Sequence, residues 1–212
     1  GTATGNAKII KTVSSANNTF HYFLQNSKLT KYSDSNNTTE YNLSYNAAGK
    51  ISAATGFYNS PNSVAASVFN LNFNYDGNGI LVGLSGTETT ANNVYNVATT
   101  FTYNNGVFVK TFTEKTVQTA LGLSKFTITT DFTYSDGNNN YLKGLPKEFA
   151  LFTTYINADQ NYLSPNNYLK REIEINNGAP TTENYTLVYD SDNYPLQAVA
   201  GSSATSYIYQ PF

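Results

Sequence analysis

The stretch that most constrains this chain reads FNLNFNY, from Phe69 to Tyr75. Its aromatic and aliphatic residues alternate strictly with Asn70, Asn72 and Asn74. A period of two places successive side chains on opposite faces of a β-strand. Because asparagine is a poor strand former, packing of the aromatic face must override its local preference. The stretch therefore predicts a strand with one buried aromatic face and one face in water.

Similar stretches recur along the chain. Each is a strand that ends in tyrosine, followed by a short turn rich in Asn, Asp or Gly and by a returning strand; the anchor residues are Tyr45, Tyr75, Tyr103, Tyr134 and Tyr189. A spacing of about 30 residues accommodates two strands with their turns, so the pattern predicts a series of hairpins. We expect the anchor rings to lie near strand ends, largely buried on one common face, with hydroxyls that reach turn backbone or water. The returning strands are less regular, although Ile80, Val82 and Leu84 alternate.

These patterns predict an all-β fold in a single domain, residues 1–212. The expected architecture is an antiparallel meander of hairpins that forms a closed or strongly curved, barrel-like sheet, because a long open meander leaves unpaired edges and an uncovered apolar face. Residues 116–123 are a short helix candidate. Residues 145–156 fit a helix or a strand equally well, with Pro146 near a helix start and Phe149, Phe152 and Ile156 on one side. Residues 157–168 are expected to form a long loop.

Composition excludes several classes of protein. Charged residues make up 12% of the chain, and the net charge is −2. The lysines are scattered along the sequence, and Arg171 is the single arginine. Nucleic-acid binding, which needs clustered Lys and Arg, is therefore excluded. The absence of cysteine removes disulfides, thiolate nucleophiles and zinc–thiolate sites. The chain starts at Gly1 without a visible signal peptide, so we interpret it as a mature or trimmed segment.

The turn sequences carry a family resemblance. The segments YNAAGKI, from Tyr45 to Ile51, and YDGNGI, from Tyr75 to Ile80, resemble the YD repeats of Rhs-type bacterial surface proteins. The longer period and the closing strand SYIYQPF make the chain more similar to a family of secreted bacterial lipoproteins of unknown function with a porin-like β fold. This resemblance covers nearly the whole chain. It implies an exported, envelope-attached all-β protein and supplies no established catalytic residues.

Few residues suggest a metal or nucleophilic site. His21 is the only histidine and cannot form a multi-histidine metal site, and no G-x-S-x-G motif is present, so a structural role is favoured for it. The segments 190–193 and 136–140 have the oxygen-rich start of a calcium loop, but the twelfth position holds Gly201 and Lys147 instead of Glu. Asp, Asn and Gly are also the residues of tight turns, which is the preferred interpretation. We therefore expect neither a metal nor another cofactor.

The charged residues within strands are candidates for chemistry. Four carboxylates stand alone in polar segments and are interpreted as charges on a solvated face: Glu40, Glu88, Glu114 and Asp131. A glycosidase pair stays open, because such a pair is defined in space. Arg171 shares its parity with Leu169 and Ile173, so it needs a carboxylate or carbonyl partner or a place at the rim, and the rim is favoured. The abundant aromatic residues are assigned to core packing before sugar stacking.

The function that these observations favour is that of a non-enzymatic bacterial envelope or cell-surface protein, located in the periplasm or at the outer membrane. In one version of this function, the protein binds a glycan, another envelope component or an apolar ligand inside the barrel. A lipid anchor outside this chain would attach the protein to the membrane. An integral outer-membrane β-barrel is the first alternative; Phe212 fits it, whereas Pro211, Lys110, Lys143 and Gln197 disfavour it. A polysaccharide-active enzyme is the second.

Overall fold

The computed structural model describes residues 8–15, 18–26, 28–59, 66–134, 145–156 and 168–211. Within these ranges the chain forms fifteen strands and one helix. The elements are β1 (Lys8–Ser15), β2 (Asn18–Gln25), β3 (Lys28–Asp34), β4 (Thr39–Tyr45), β5 (Ile51–Tyr58), β6 (Ser67–Tyr75), β7 (Leu81–Thr89), β8 (Val94–Asn104), β9 (Val107–Thr119), β10 (Gly122–Tyr134), α1 (Lys147–Ile156), β11 (Tyr168–Ile175), β12 (Thr181–Asn184), β13 (Thr186–Tyr189), β14 (Pro195–Ala200) and β15 (Ser203–Pro211).

All strands belong to one antiparallel sheet that closes almost completely on itself. Strands that follow one another in the chain are neighbours, and β1 also pairs with β15. The two outermost strands, β12 and β13, are separated in the chain only by Tyr185. Because β12 pairs with β11 and β13 pairs with β14, the chain itself spans the remaining gap. The predicted all-β antiparallel meander with a barrel-like sheet is confirmed.

The two faces of the barrel wall follow the alternation of the sequence. On β6, Phe69, Leu71 and Phe73 are buried toward the interior, whereas the intervening asparagines are exposed. The same division holds on β8, where Val97, Thr99 and Phe101 are buried and Thr100 and Thr102 are exposed. The interior is therefore rich in aromatic rings, and the outer wall is rich in Asn, Thr and Ser.

A β-bulge lies beside each anchor tyrosine. The pairing register shifts by one residue where the tyrosine-ending strand meets its returning partner, in the pairs β4–β5, β6–β7, β8–β9, β10–β11 and β13–β14. Bulges of this kind increase local twist and are common at the rims of barrels. The expected common face of Ile80, Val82 and Leu84 is wrong for this reason: Val82 is the extra residue, and it is exposed whereas Leu84 is buried.

The hydroxyls of the anchor tyrosines tie neighbouring hairpins together. Tyr45 donates to the carbonyl of Leu29 at 2.7 Å, and Tyr75 donates to that of Ile51 at 2.6 Å. Tyr103 donates in the same way to Leu81 at 2.6 Å. These three rings are half-buried against the core on one face of the sheet, so they are less enclosed than expected, although their position and backbone contact agree with the prediction. Tyr189 is also half-buried, and the side chain of Tyr134 lies outside the described residues. We call this rim, with the turns 46–50, 76–80 and 190–194, the tyrosine end.

The helix α1 occupies the interior of the barrel. The Phe149 ring lies 6.0 Å from that of Tyr22 on β2, and the Phe152 ring lies 5.7 Å from Tyr41 on β4 and 5.5 Å from Phe73 on β6. At its other end, Tyr155 donates a hydrogen bond to Glu88 on β7. The helix therefore packs on the inward face of the sheet, against strands between β2 and β7. Among the described residues, no helix has the length and apolar character needed to cross a membrane.

Two further expectations about secondary structure have different outcomes. Of the two structures that residues 145–156 fit equally well, the helix is observed, over Lys147–Ile156. Only the helical form brings Phe149, Phe152 and Tyr155 to their buried contacts in the interior. The helix expected at 116–123 is wrong: this segment forms the ends of β9 and β10, which pair continuously up to Thr119 and Gly122. The expected loop at 157–168 lies outside the described residues, apart from Tyr168, which begins β11.

Gly56 allows the aromatic residues around it to pack closely. It lies on β5 between Tyr41 of β4 and Phe69 of β6, whose ring centroids are 5.0 Å apart. A Cβ at this position would lie 2.0 Å from the backbone oxygen of Glu40 and 2.9 Å from the Tyr41 ring. The missing side chain therefore lets the two rings meet beneath Phe152.

The tyrosine ties can be tested at Tyr75. Replacing Tyr75 with Phe removes one hydrogen bond to a carbonyl and should lower the free energy of unfolding by about 1 kcal/mol. Replacing it with Ala also removes the half-buried ring and should cost about 3 kcal/mol. Urea unfolding measures both values. Equal stability of wild type and Y75F would show that the tie contributes nothing.

The close approach at Gly56 predicts a second effect on stability. Gly56→Ala should lower the free energy of unfolding by about 3 kcal/mol, because the new Cβ collides with backbone that cannot move aside cheaply. Gly77→Ala is the matched control, since a Cβ there meets nothing within 4 Å. A similar midpoint of thermal unfolding for both variants would contradict the packing role of Gly56.

Candidate functional site

A solvent-facing cavity lies at the end of the barrel opposite the tyrosine end. Its volume is about 470 Å³, within the range of roughly 300–1,000 Å³ that is usual for small-molecule sites. The side chains around it come from β7 to β11 and the loop after β7: Glu88, Thr90, Tyr95, Lys115, Val117, Ser124, Lys125, Phe126 and Asn176. We call this rim the cavity end.

Strand pairing brings four of the lining residues into two neighbouring cross-strand pairs on the inner face. Glu88 of β7 lies opposite Tyr95 of β8, and Lys115 of β9 lies opposite Phe126 of β10. Asn176 follows β11 and is held against β10, because its side-chain oxygen accepts from the Thr127 amide at 2.8 Å. Four consecutive strands, β7 to β10, and the residue that follows β11 thus contribute to one wall.

Glu88 forms the floor of the cavity. It is only 3% exposed, and its carboxylate accepts three hydrogen bonds: from Lys115 at 2.5 Å, from Tyr155 at 2.7 Å and from Tyr58 at 2.7 Å. Burial raises the pKa of Glu88, but the charge of Lys115 and these hydrogen bonds outweigh it, so the pKa is lowered from its ordinary value. Glu88 is therefore held as a carboxylate at neutral pH.

The helix contributes to the same floor through Tyr155. The Lys115 ammonium lies 5.5 Å from the centre of its ring, and its hydroxyl donates to Glu88. Burial, and next to it the negative charge of Glu88, raise the pKa of Tyr155 well above its ordinary value, so its hydroxyl stays a donor. The last described part of α1 thus closes the cavity from below.

The structure separates the four carboxylates that the sequence treats alike. Glu40, Glu114 and Asp131 lie on the outer wall, paired with Lys31, Lys125 and Lys110 respectively. The interpretation as solvated charges agrees with these positions. It is wrong for Glu88, which points inward. The available signal was its parity with Leu84, which is also buried and from which no bulge separates it; the isolated charge in a polar segment favoured the solvated interpretation instead.

Arg171 belongs to a second internal polar cluster. Its guanidinium is 5% exposed and donates to Glu183 from two nitrogens, at 3.0 and 2.6 Å. Tyr185 donates to the same carboxylate. The favoured rim position is therefore wrong, and the alternative of a carboxylate partner is correct, because β12 places Glu183 directly opposite Arg171. This cluster lies at the strand that completes the barrel.

The remaining described sequence candidates are not among the residues that line the cavity. His21 is half-buried on β2, between inward-facing neighbours, with Phe23 of the outer face 6.5 Å away. The Asp190 carboxylate accepts from the amides of Asp192 and Tyr194, each at 2.9 Å, which is turn chemistry. The similar turn at 136–140 lies outside the described residues. No group of three metal-ligating side chains occurs in the part of the chain that the structure describes.

Substitution of Glu88 tests the floor of the cavity. Glu88→Gln leaves the Lys115 charge without a partner and should lower the free energy of unfolding at pH 7 by about 3 kcal/mol. Because the folded-state pKa of Glu88 is lowered, its contribution is complete above the ordinary value of 4.5 and is lost as the pH falls through the folded-state pKa. Wild type and variant should therefore converge in acid, as measured by urea unfolding across pH.

Glu40→Gln is the control for this experiment. Glu40 forms an exposed ion pair with Lys31, and such pairs contribute little, so stability at pH 7 should change by less than about 1 kcal/mol. A constant difference between wild type and E88Q from neutral to strongly acidic pH would mean that the ionised carboxylate is not the stabilising group.

Comparison with known proteins gives a match in structure but not in sequence. No protein-family model and no curated protein sequence matches the chain. A crystal structure of a porin-like protein from Bacteroides vulgatus ATCC 8482 is similar, with a TM-score of 0.57 and 9% sequence identity over 96% of this chain and 100% of that chain. At this identity the similarity concerns the fold: the chain has the barrel architecture of a porin-like protein.

Proposed function

We propose that the protein is a non-enzymatic, ligand-binding β-barrel of the bacterial envelope that works in aqueous surroundings rather than within the lipid. The observation that carries the proposal is the distribution of polarity across the barrel wall. In transmembrane barrels the outward face is apolar and the inward face is polar. This barrel has the opposite arrangement.

The outer wall has the character of a water-exposed surface. The asparagines of β6 and the threonines of β8 point outward, and so does the ion pair of Lys110 with Asp131 at 3.0 Å. Exposed apolar residues such as Phe112 and Ile208 are scattered among them, as on ordinary soluble proteins. Placing this wall in hydrocarbon would leave amide, hydroxyl and charged groups without partners, at a cost of several kcal/mol for each group.

The filled interior argues against a pore. Phe149 and Phe152 of α1 are fully buried, and their rings lie against Tyr22, Tyr41 and Phe73 of β2, β4 and β6. Removing them would expose the aromatic inner wall to water, and each large side chain contributes about 3–5 kcal/mol when buried. A barrel with this interior is suited to hold a ligand at its cavity end, and not to conduct solutes.

The chemistry of the cavity favours binding over catalysis. Retaining and inverting glycosidases need two carboxylates that face the same site. Among the described residues that line this cavity, Glu88 is the only carboxylate, and three donors hold it in its ionised form. The envelope location and a lipid anchor outside this chain rest on the resemblance to secreted lipoproteins, and the porin-like fold is compatible with both.

Purification without detergent tests the proposal. A soluble barrel should remain monodisperse in plain buffer, stay in solution when mixed with liposomes, and cause no release of an entrapped dye. Size-exclusion chromatography and liposome flotation measure these properties. Aggregation that only detergent reverses, together with flotation, would favour the integral outer-membrane alternative. Fractionation of cells that express the complete gene would test the envelope location separately.

A further inference from the structure

The cavity end carries a specific ligand class. We infer that it binds a neutral saccharide of one or two rings, with Tyr95 and Phe126 as stacking surfaces and the Glu88–Lys115 floor as the hydrogen-bonding base. This inference rests on the proposed function of a soluble ligand-binding barrel, and it identifies the ligand of that barrel by its chemistry.

The lining combines polar and aromatic groups, which is what binding of a sugar requires. Thr90, Ser124 and Asn176 supply hydroxyl and amide groups, whereas Val117 and Phe126 are the wholly apolar members. A fatty chain would cover these polar groups without replacing their hydrogen bonds to water, and burying polar groups in this way is unfavourable. A sugar ring presents hydroxyls at its edge and C–H groups on its faces, so it satisfies both kinds of surface.

The charges of the cavity are already balanced. Lys115 is paired with Glu88 at 2.5 Å, and Lys125 at the rim is paired with Glu114. The described lining residues therefore offer no uncompensated positive charge for an anion and no uncompensated negative charge for a cation. An ammonium group has three donors, and Lys115 gives one of them to Glu88, so it retains donors for hydroxyl groups.

The geometry of the walls fits a flat, rigid ligand. Tyr95 lies on β8 and Phe126 on β10, with Lys115 of β9 between them on the same face. The hairpin of β9 and β10 pairs up to Gly122, whereas β8 pairs with β9 only up to Thr116, so the hairpin rises above the rim as one wall. Ser124 on this wall is exposed, which leaves the cavity accessible from solvent.

Calorimetric titration and ligand-observed NMR with defined sugars test the inference. The probes are cellobiose, maltose, lactose and chitobiose, with galacturonic acid and decanoic acid as the charged and apolar comparisons. We expect at least one neutral disaccharide to bind at millimolar concentration or below, and the two comparison compounds not to bind. Tyr95→Ala should weaken that binding about tenfold through loss of stacking, whereas Tyr95→Phe should retain it.

A blocking variant locates the site. Ser124→Tyr places a ring inside the cavity from an exposed strand position and should reduce sugar affinity at least about tenfold. Thr133→Tyr makes the same change on the outer face of the same strand, at an exposed position, and should leave binding unchanged. Thermal unfolding of both variants verifies that they fold.

Each other outcome would overturn the inference. Failure of all four neutral sugars to bind would remove the ligand class, and binding of decanoic or galacturonic acid alone would replace it. Sugar binding that Ser124→Tyr leaves intact would place the site elsewhere. A protein that stays soluble without detergent yet fails these tests contradicts only the sugar inference, whereas a protein that needs detergent contradicts the proposed function.

Discussion

The structure depends on the need to fill the inside of a wide barrel. Inward side chains can fill a closed sheet of about eight strands, whereas barrels of about sixteen leave an open lumen. Within the described residues the sheet has fifteen strands, and its two edge strands, β12 and β13, follow each other in the chain. Its interior must therefore receive material beyond the strand side chains, and α1 supplies it. The large inward aromatic residues and the close packing at Gly56 both serve contact with this helix.

The filling is uneven along the barrel, and this unevenness creates the site. Phe149 and Phe152 fill the middle of the interior, and Tyr155 is the last side chain of the described helix. Beyond Tyr155 the inner wall carries Glu88, Lys115 and further polar residues beside Tyr95 and Phe126. A buried ion pair tolerates this position because two tyrosine hydroxyls satisfy the carboxylate. The polar floor thus separates a dry aromatic core from a hydrated cavity.

Much of the wall could be predicted from local pattern, whereas the candidate site could not. The alternation in 69–75 correctly predicts which side chains of β6 face the interior. In a regular strand, whether a residue has an odd or an even position is enough to decide which face its side chain occupies. That parity is lost at a bulge, which is why Val82 is exposed although it has the parity of the buried Leu84. No bulge separates Leu84 from Glu88, so the parity of Glu88 indicated burial, and only its charge and polar surroundings favoured a solvated face. For Arg171 the parity of the sequence indicated burial but did not identify a partner. Glu183 can be recognised as that partner only from the pairing of β11 with β12.

The sequence by itself determined the strands, their buried faces, the tyrosine-ended hairpins and the all-β class, because these features depend on contacts between near neighbours in the chain. Tertiary structure alone decided that residues 147–156 coil and enter the barrel, since that segment fits helix and strand equally until its partners on β2, β4 and β6 are known. It also decided that Glu88, Lys115 and Tyr155 meet. Their contact requires closure of the sheet around the helix, and no local pattern encodes a distance across a barrel.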